Sequence, residues 1–141
     1  MDDAVIDATV LTFANGPIGP QPGGSLARCL PVIRRIVDSQ WRCRYNTTLL
    51  QEYDDHVRTH RNDIVVAFFA LLDSPHAVKG RNNLRHHEYA TARSIRWPTH
   101  DHHLLAAAIG GTNPAIVVTE PALARLHKQA KRRFGVSVLK V

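Results

Sequence analysis

The sequence predicts one α/β domain in which helices cover both faces of a central parallel sheet of four or five strands. Two nearly continuous apolar runs rich in β-branched residues, at 4–11 and 115–119, are typical of strands buried on both faces. Segments with helical spacing of apolar residues separate the predicted strands, which favours parallel pairing. A chain of 141 residues, 44% of them hydrophobic, is long enough for one core, and no repeat or linker indicates a second domain.

Several features predict a cytoplasmic protein that does not engage a membrane. No apolar run approaches the roughly 20 residues that a bilayer requires. The N-terminal residues Met-Asp-Asp lack the basic region of a secretory signal. Cys29 and Cys43 show neither the spacing of a metal site nor a disulfide pattern, so we expect buried, reduced thiols.

The first strand is predicted at residues 4–11, in the centre of the sheet, with Asp7 inside the apolar run. Residues 15–24 are crowded with Gly and Pro and predict a loop. Ser25 then caps a helix whose apolar residues have helical spacing, and Pro31 marks either a kink in that helix or its true start.

Period-two alternation at residues 41–45 predicts a second strand. A capping-box pattern at 48–51 predicts a helix with Glu52 in its first turn. A further helix follows Asn62 and ends before Pro75. Residues 75–98 are polar and poorly periodic, and the sequence predicts no element there.

Asp101 is predicted to open a strong helix rich in Leu and Ala. After the strand at 115–119, Glu120 precedes a helix that extends to Gly135. Residues 136–138 complete the prediction as a short last strand. Strands therefore alternate with helices over most of the chain, which is the pattern of a parallel sheet.

The net charge of +6 is confined to the end of the chain. The bases that follow Glu120, with no acid among them, are Arg125, Lys128, Lys131, Arg132, Arg133 and Lys140. Such a patch suits a polyanion such as nucleic acid, through phosphate contacts that do not read sequence. A solvated helix face on a basic protein explains the charge equally well, and the sequence leaves both interpretations open.

Four acids are placed for one edge of the predicted sheet. Asp7 lies toward the end of the first strand, and Glu120 directly follows the strand at 115–119. Glu52 and Asp101 lie in predicted first turns of helices, which start at the same edge. Open parallel sheets bind ligands there. Because clustered carboxylates repel one another, we expect a bound cation, and Mg²⁺ or Mn²⁺ fits hard oxygen ligands best.

Helix ends offer a structural explanation for three of these acids. The helix dipole stabilises carboxylates near helix N-termini, which explains Glu52 and Asp101 without a function, and Glu120 is suited to capping. Asp7 differs, because a charge inside a buried strand is costly unless it is paired or bound to a metal. The functional prediction therefore depends most on Asp7.

Together these segments resemble the PIN-domain family, which includes VapC-like metal-dependent ribonucleases. The family's usual marks are an apolar strand ending in Asp, a mid-chain helical acid, an Asp that opens a Leu/Ala-rich helix, and a Val-Thr-acid turn. Here they read VIDATVL with Asp7, LLQEYDDHV with Glu52, DHHLLAAAI with Asp101 and IVVTEPAL with Glu120. The resemblance spans essentially the whole chain in the right order, and its specificity lies in the set.

The resemblance implies a three-layer α/β/α sandwich over residues 1–141, frequent homodimers, and an endoribonuclease that uses Mg²⁺ or Mn²⁺. It also implies the toxin of a toxin–antitoxin pair, with an antitoxin protein as partner. Asp7 and Asp101 would hold the metal, Glu52 would bind it directly or through water, and Glu120 would complete a second metal position or orient the attacking water. The expected RNA contacts are Thr9, Thr119, Arg81, Arg85, Arg93 and Arg96, with the basic C-terminal helix as another place for them.

Two positions depart from the family pattern. Thr9 stands where Asn or Ser is common, and Pro121 stands where the fourth acid is usual, with Glu120 one residue earlier. A non-catalytic PIN-fold module, which binds RNA or a protein through a weakened metal site, is therefore the alternative prediction.

The histidines suggest a different class of site. A zinc site is an alternative interpretation, with His100, His102 and His103 as ligands, with or without His86 or His87. His102 and His103 fall beside Asp101 and off the apolar face of its helix, so the pattern favours solvent-facing side chains over ligands.

Overall fold

The computed structural model describes residues 2–16 and 25–141, and its strands form one parallel sheet. The five strands are β1 (Asp2–Ile6), β2 (Trp41–Tyr45), β3 (Val78–Lys79), β4 (Ala115–Val118) and β5 (Ser137–Lys140). Their order is β3-β2-β1-β4-β5, and every neighbouring pair is parallel. The predicted sheet and the central position of its first strand are therefore confirmed.

Helices connect the strands and cover the sheet. The helices are α1 (Ala8–Ala14), α2 (Leu26–Val37), α3 (Thr47–His56), α4 (Asp63–Leu72), α5 (His86–Ser94), α6 (His102–Ala108), α7 (Pro121–Ala124) and α8 (His127–Phe134), with a 3₁₀ turn at Thr99–Asp101 before α6. The last three residues of β1 and of β4 are all buried. Since successive side chains point to opposite faces, both faces of the sheet centre are covered, which is compatible with a three-layer arrangement.

The prediction of a strand over residues 4–11 is wrong in its second half. β1 ends at Ile6 and α1 begins at Ala8, with Asp7 between them in an extended conformation (φ −63°, ψ 143°). A buried apolar run of this length cannot be distinguished from a short buried helix by periodicity. Asp7 therefore stands at the N-cap position of α1 rather than inside a strand, although its side chain makes no capping hydrogen bond.

The helix that carries Glu52 starts earlier than its capping-box pattern predicts. Asn46 is the N-cap, and its side-chain oxygen accepts the Leu49 backbone N–H at 2.9 Å. The oxygen of an Asn at this position satisfies a free N–H of the first turn, so the helix starts at Thr47. Glu52 consequently lies in the second turn of α3, not in the first.

The C-terminal half contains three further differences from prediction. Residues 75–98 contain β3 and α5, although the sequence predicts no element there. The single helix predicted before Gly135 is two helices, α7 and α8, with a break at 125–126. The apolar stripe continues across that break, so spacing alone indicates one helix. Gly135 ends α8 with φ 70°, and the last strand is Ser137–Lys140 rather than 136–138.

Some smaller predictions have clear outcomes. Ser25 caps α2 by accepting the Arg28 backbone N–H at 3.2 Å, and α2 runs on through Pro31. Cys29 and Cys43 are buried and free. The predicted loop at 15–24 lies mostly outside the described residues. Within those residues no helix has the length and apolar character needed to cross a bilayer. The single domain over 1–141 stays a prediction.

Asn62 caps α4 and also joins that helix to α1. Its side-chain oxygen accepts the Val65 N–H at 2.9 Å, and its amide donates to the Ala14 carbonyl at 2.9 Å. We expect Asn62→Ala to lower the free energy of unfolding by about 1.5 kcal/mol, since both bonds are lost. Denaturant titration measures this, with Asn83→Ala, at an exposed position, as the matched control. Equal losses in the two variants would contradict the double role.

Candidate functional site

The carboxyl ends of β1 and β4 form the edge at which the predicted acids lie. These two central strands are neighbours, and their connections lead to opposite sides of the sheet, to β2 and to β5. Such a switch in strand order leaves a crevice that commonly holds a ligand. Asp7 directly follows β1, and Thr119 and Glu120 follow β4. The Asp7 N–H donates to the Val117 carbonyl at 3.0 Å, which fixes Asp7 beside the end of β4.

A chain of hydroxyl groups orients the Asp7 carboxylate. The Thr9 hydroxyl donates to Asp7 Oδ2 at 2.9 Å, and the Thr119 hydroxyl donates to Thr9 Oγ1 at 3.0 Å. Consecutive bonds of this kind polarise one another and hold the acceptor in place. The Thr9 hydroxyl thus donates to Asp7 and the Thr119 hydroxyl to Thr9, while the role of Thr9 and Thr119 as RNA contacts stays a prediction.

Glu52 is brought to the same edge by α3 and is held there by His103. The hydroxyl of the next residue, Tyr53, donates to the Ile6 carbonyl at the end of β1. The Glu52 carboxylate lies 3.1 Å from Nε2 of His103. The His103 side chain is only 9% exposed. The prediction of a solvent-facing His103 is therefore wrong, since a polar ring beside a carboxylate is satisfied without water.

The contact of His103 with an acid of the site is not predicted by the sequence, which indicates His103 only as a candidate zinc ligand or a solvent-facing side chain. Its backbone carbonyl accepts a hydrogen bond from the Asn46 side chain at 2.9 Å, which ties the start of α6 to the start of α3. The position of His103, two residues after Asp101 and so close to a predicted acid, is the only signal in the sequence. Its partner Glu52 is distant in the chain, and no local pattern links the two.

Asp101 is the acid with the most unusual surroundings. It lies in the 3₁₀ turn and takes the N-cap position of α6 without a capping hydrogen bond, and it is 8% exposed. The Trp97 indole N–H donates to its backbone carbonyl at 2.8 Å. His100 Nε2 approaches Asp101 Oδ2 to 3.2 Å, but without hydrogen-bond geometry, so this buried oxygen has no hydrogen-bond partner.

The carboxyl groups act on one another through their charges. Burial raises the pKa of Asp101 to about 6, and the charges of Asp7 and Glu120 add to this while His100 opposes it. Burial also raises the pKa of Asp7, where the bond from Thr9 opposes the shift and the charge of Glu52 adds to it. We call Asp7, Glu52, Asp101 and Glu120 the acid cluster. These couplings show that folding brings four distant segments within electrostatic reach.

Asp3 shows that a buried carboxylate in this chain does not always have a raised pKa. It is 1% exposed, yet its carboxylate receives Arg42 at 2.7 and 3.2 Å and the Thr112 N–H at 2.9 Å. Burial raises the pKa of Asp3, but these partners outweigh burial and leave it below the usual value. The chain thus neutralises Asp3 with arginines, whereas the only basic side chains within ion-pair distance of the acid cluster, among the described residues, are His100 and His103.

The acid cluster offers the right donors for a hard cation, but its side chains are not gathered around one point. Among the described residues, no group of three or more His, Cys, Asp or Glu side chains is arranged to hold a metal ion. This holds for the carboxylates and for the predicted zinc alternative. The unpartnered oxygen of Asp101 is the feature that fits a cation. Binding would require the neighbouring carboxylates to move inward.

The other histidines have different surroundings. The ring of His102 packs edge-on against Tyr89 with centroids 5.0 Å apart, and its buried Nε2 has no hydrogen-bond partner. The side chain of His100 is 80% exposed. Neither joins His103 in a common site.

The predicted arginine contacts differ in how free their charges are. Arg81 makes a two-pronged pair with Glu88, with both distances 2.8 Å. Its charge is therefore already balanced. Arg85, Arg93 and Arg96 are exposed and have no acidic partner among the described residues. Their role in RNA binding stays a prediction.

No protein-family model, curated protein or solved structure matches the chain. The likeness to PIN domains therefore depends on the segments named above.

Proposed function

We propose that the chain is an endoribonuclease of the PIN type that hydrolyses RNA phosphodiester bonds with Mg²⁺ or Mn²⁺. The observation that carries the proposal is Asp101, a buried carboxylate with a raised pKa and an unpartnered oxygen. Buried carboxylates with a raised pKa are concentrated at functional sites. The neighbouring acids of the cluster supply the further oxygen ligands that a divalent cation requires.

Each member of the acid cluster has a role in this proposal. Asp7 and Asp101 would hold the cation, and Glu52 would bind it directly or through water. Glu120 is exposed and would support a second cation or orient the attacking water. When bound, the cation would acidify water and offset the charge of the phosphate under attack. Thr9 keeps Asp7 in one orientation, and His103 does the same for Glu52.

The direct test is cleavage of a single-stranded RNA labelled at both ends. Purified protein should cut it in the presence of Mg²⁺ or Mn²⁺, and excess EDTA should stop the reaction. Asp7→Asn should be inactive under the same conditions. RNA that stays intact with either metal, over a range of sequences, would overturn the proposal.

The second candidate is a non-catalytic PIN-fold module that binds RNA or a protein. It is favoured by the absence, among the described side chains, of any three acids gathered around one point. The position of Glu120, one residue before the place usual in the family, favours it too. RNA binding without cleavage identifies this function.

The homodimer, the antitoxin partner and the cytoplasmic location belong to the proposal as well. Light scattering of the purified protein tests the homodimer.

We expect His103→Leu to lower the rate constant of cleavage about tenfold and to leave KM unchanged. Leu fills the same space but removes the contact that orients Glu52. Loss of a side chain that orients a metal ligand typically costs about tenfold or more in activity. His103→Gln provides the matched control, because its amide can again donate to Glu52. Steady-state kinetics on a short RNA measures both variants. Equal defects in Leu and Gln would mean that His103 has a packing role only.

A further inference from the structure

A groove of about 430 Å³ on the C-terminal helices is lined by three cations and one amide. Its lining residues are Arg125, Lys128, Gln129 and Arg132. The spacing i, i+3, i+4 and i+7 places all four on one helical face, although residues 125–126 break the helix between α7 and α8. All four are exposed, and no carboxylate in the described part of the chain pairs with the three cations.

One of the three charges in this groove, that of Lys128, is not favoured by the helix that carries it. Lys131, Arg132 and Arg133 lie in the last turn of α8, where cations interact favourably with the helix dipole. Lys128 lies in the first turn of α8, where a cation is unfavourable, whereas Arg125 is the C-cap of α7, where a cation is favourable. The chain therefore holds the charge of Lys128 at a position that costs stability. An anion that binds there would offset this cost.

The groove also begins close to the acid cluster. Arg125 follows Glu120 by five residues, and α7 starts directly after Glu120 at the carboxyl end of β4. From there α8 leads along the flank of the sheet to the start of β5. The predicted contact Arg81 is less suited, since Glu88 already balances its charge.

We propose that the groove formed by Arg125, Lys128, Gln129 and Arg132 binds the backbone phosphates of single-stranded RNA. The identity of the polyanion as RNA follows from the proposed function, whereas the charge of the groove stands by itself. The groove has no aromatic side chain on which bases would stack, so its binding is independent of sequence.

The test measures binding without cleavage. Fluorescence anisotropy of a labelled single-stranded RNA is recorded in EDTA for the wild-type chain and for Arg125→Ala/Lys128→Ala/Arg132→Ala. We expect the triple variant to bind about tenfold more weakly at 0.1 M salt. The plot of log affinity against log salt has a negative slope, and its magnitude should decrease by about 2 in the triple variant, because each of the three lost phosphate contacts contributes about 0.7. The matched control is Arg28→Ala/Arg58→Ala/Arg61→Ala, which removes the same charge from exposed positions elsewhere and should change affinity less than twofold.

Equal losses in the two triple variants would overturn the proposal, since net charge alone would then explain binding. Polyglutamate as competitor distinguishes an acidic protein partner, and displacement of RNA by polyglutamate as effective as that by unlabelled RNA would also overturn it. Failure of the proposed nuclease function can be distinguished from failure of the phosphate site. If the wild-type chain binds RNA through the groove but never cuts it, the phosphate site stands and the nuclease does not. If it cuts RNA, the groove variant should show a raised KM with unchanged kcat.

Discussion

Asp101→Asn is expected to lower metal-dependent RNA cleavage about 10³-fold or more while the fold persists. The substitution keeps the shape of the side chain but removes the charge that would hold the cation, so about 4 kcal/mol of transition-state stabilisation is lost. Asp101 Oδ2 has no hydrogen-bond partner in the described part of the chain, so it is the oxygen expected to bind the cation. Single-turnover cleavage at saturating RNA measures the loss.

Asp73→Asn is the matched control for this prediction. It makes the same chemical change at an exposed acid at the end of α4, outside the acid cluster. We expect it to cut RNA like the wild-type chain. If Asp101→Asn retained more than about a tenth of the activity, its carboxylate would not be a ligand, and the cation would have to be held by the rest of the cluster.

The sheet could be predicted from sequence because its central strands are apolar on both faces. The apolar, β-branched residues within 4–6 and 115–118 are typical of strands buried on both faces. The error over residues 8–11 has the opposite cause. There a short helix is covered on several sides, so its apolar residues are nearly continuous and the helical period is hidden. The physical environment, not the local propensity, decides between the two.

The four acids could be predicted to share an edge because parallel strands and the helices that follow them define that edge. The charge states of these acids could not be predicted from the sequence. Asp3 and Asp101 are both buried, but only Asp3 has Arg42 beside it, on a neighbouring strand. Likewise the pair of Glu52 and His103 joins α3 to α6, and no spacing along the chain indicates it. Partners of buried charges are set by packing, which a single sequence does not display.

Asp101→Asn is also expected to stabilise the fold, which separates a functional charge from a structural one. The Asp101 carboxyl has a pKa near 6 in the folded chain against an ordinary value of 3.8. Between these values the folded state binds more protons than the unfolded state, so its stability falls as the pH rises from 4 to 6 and the loss persists above 6. Relative to the wild-type chain, the variant should gain about 2 to 3 kcal/mol at pH 7.5 and nothing near pH 4.

Denaturant titration in EDTA at the two pH values measures this difference. Mn²⁺ should then raise the stability of the wild-type chain at pH 7.5, because a ligand that binds only the folded state stabilises it, and should leave the variant nearly unchanged. Asp3→Asn should have the opposite effect on stability. Removal of this paired, buried carboxylate leaves its arginine partners without a counter-charge and lowers the free energy of unfolding. If Asp101→Asn were destabilising at pH 7.5 like Asp3→Asn, Asp101 would have a hidden structural partner and its charge would need no cation.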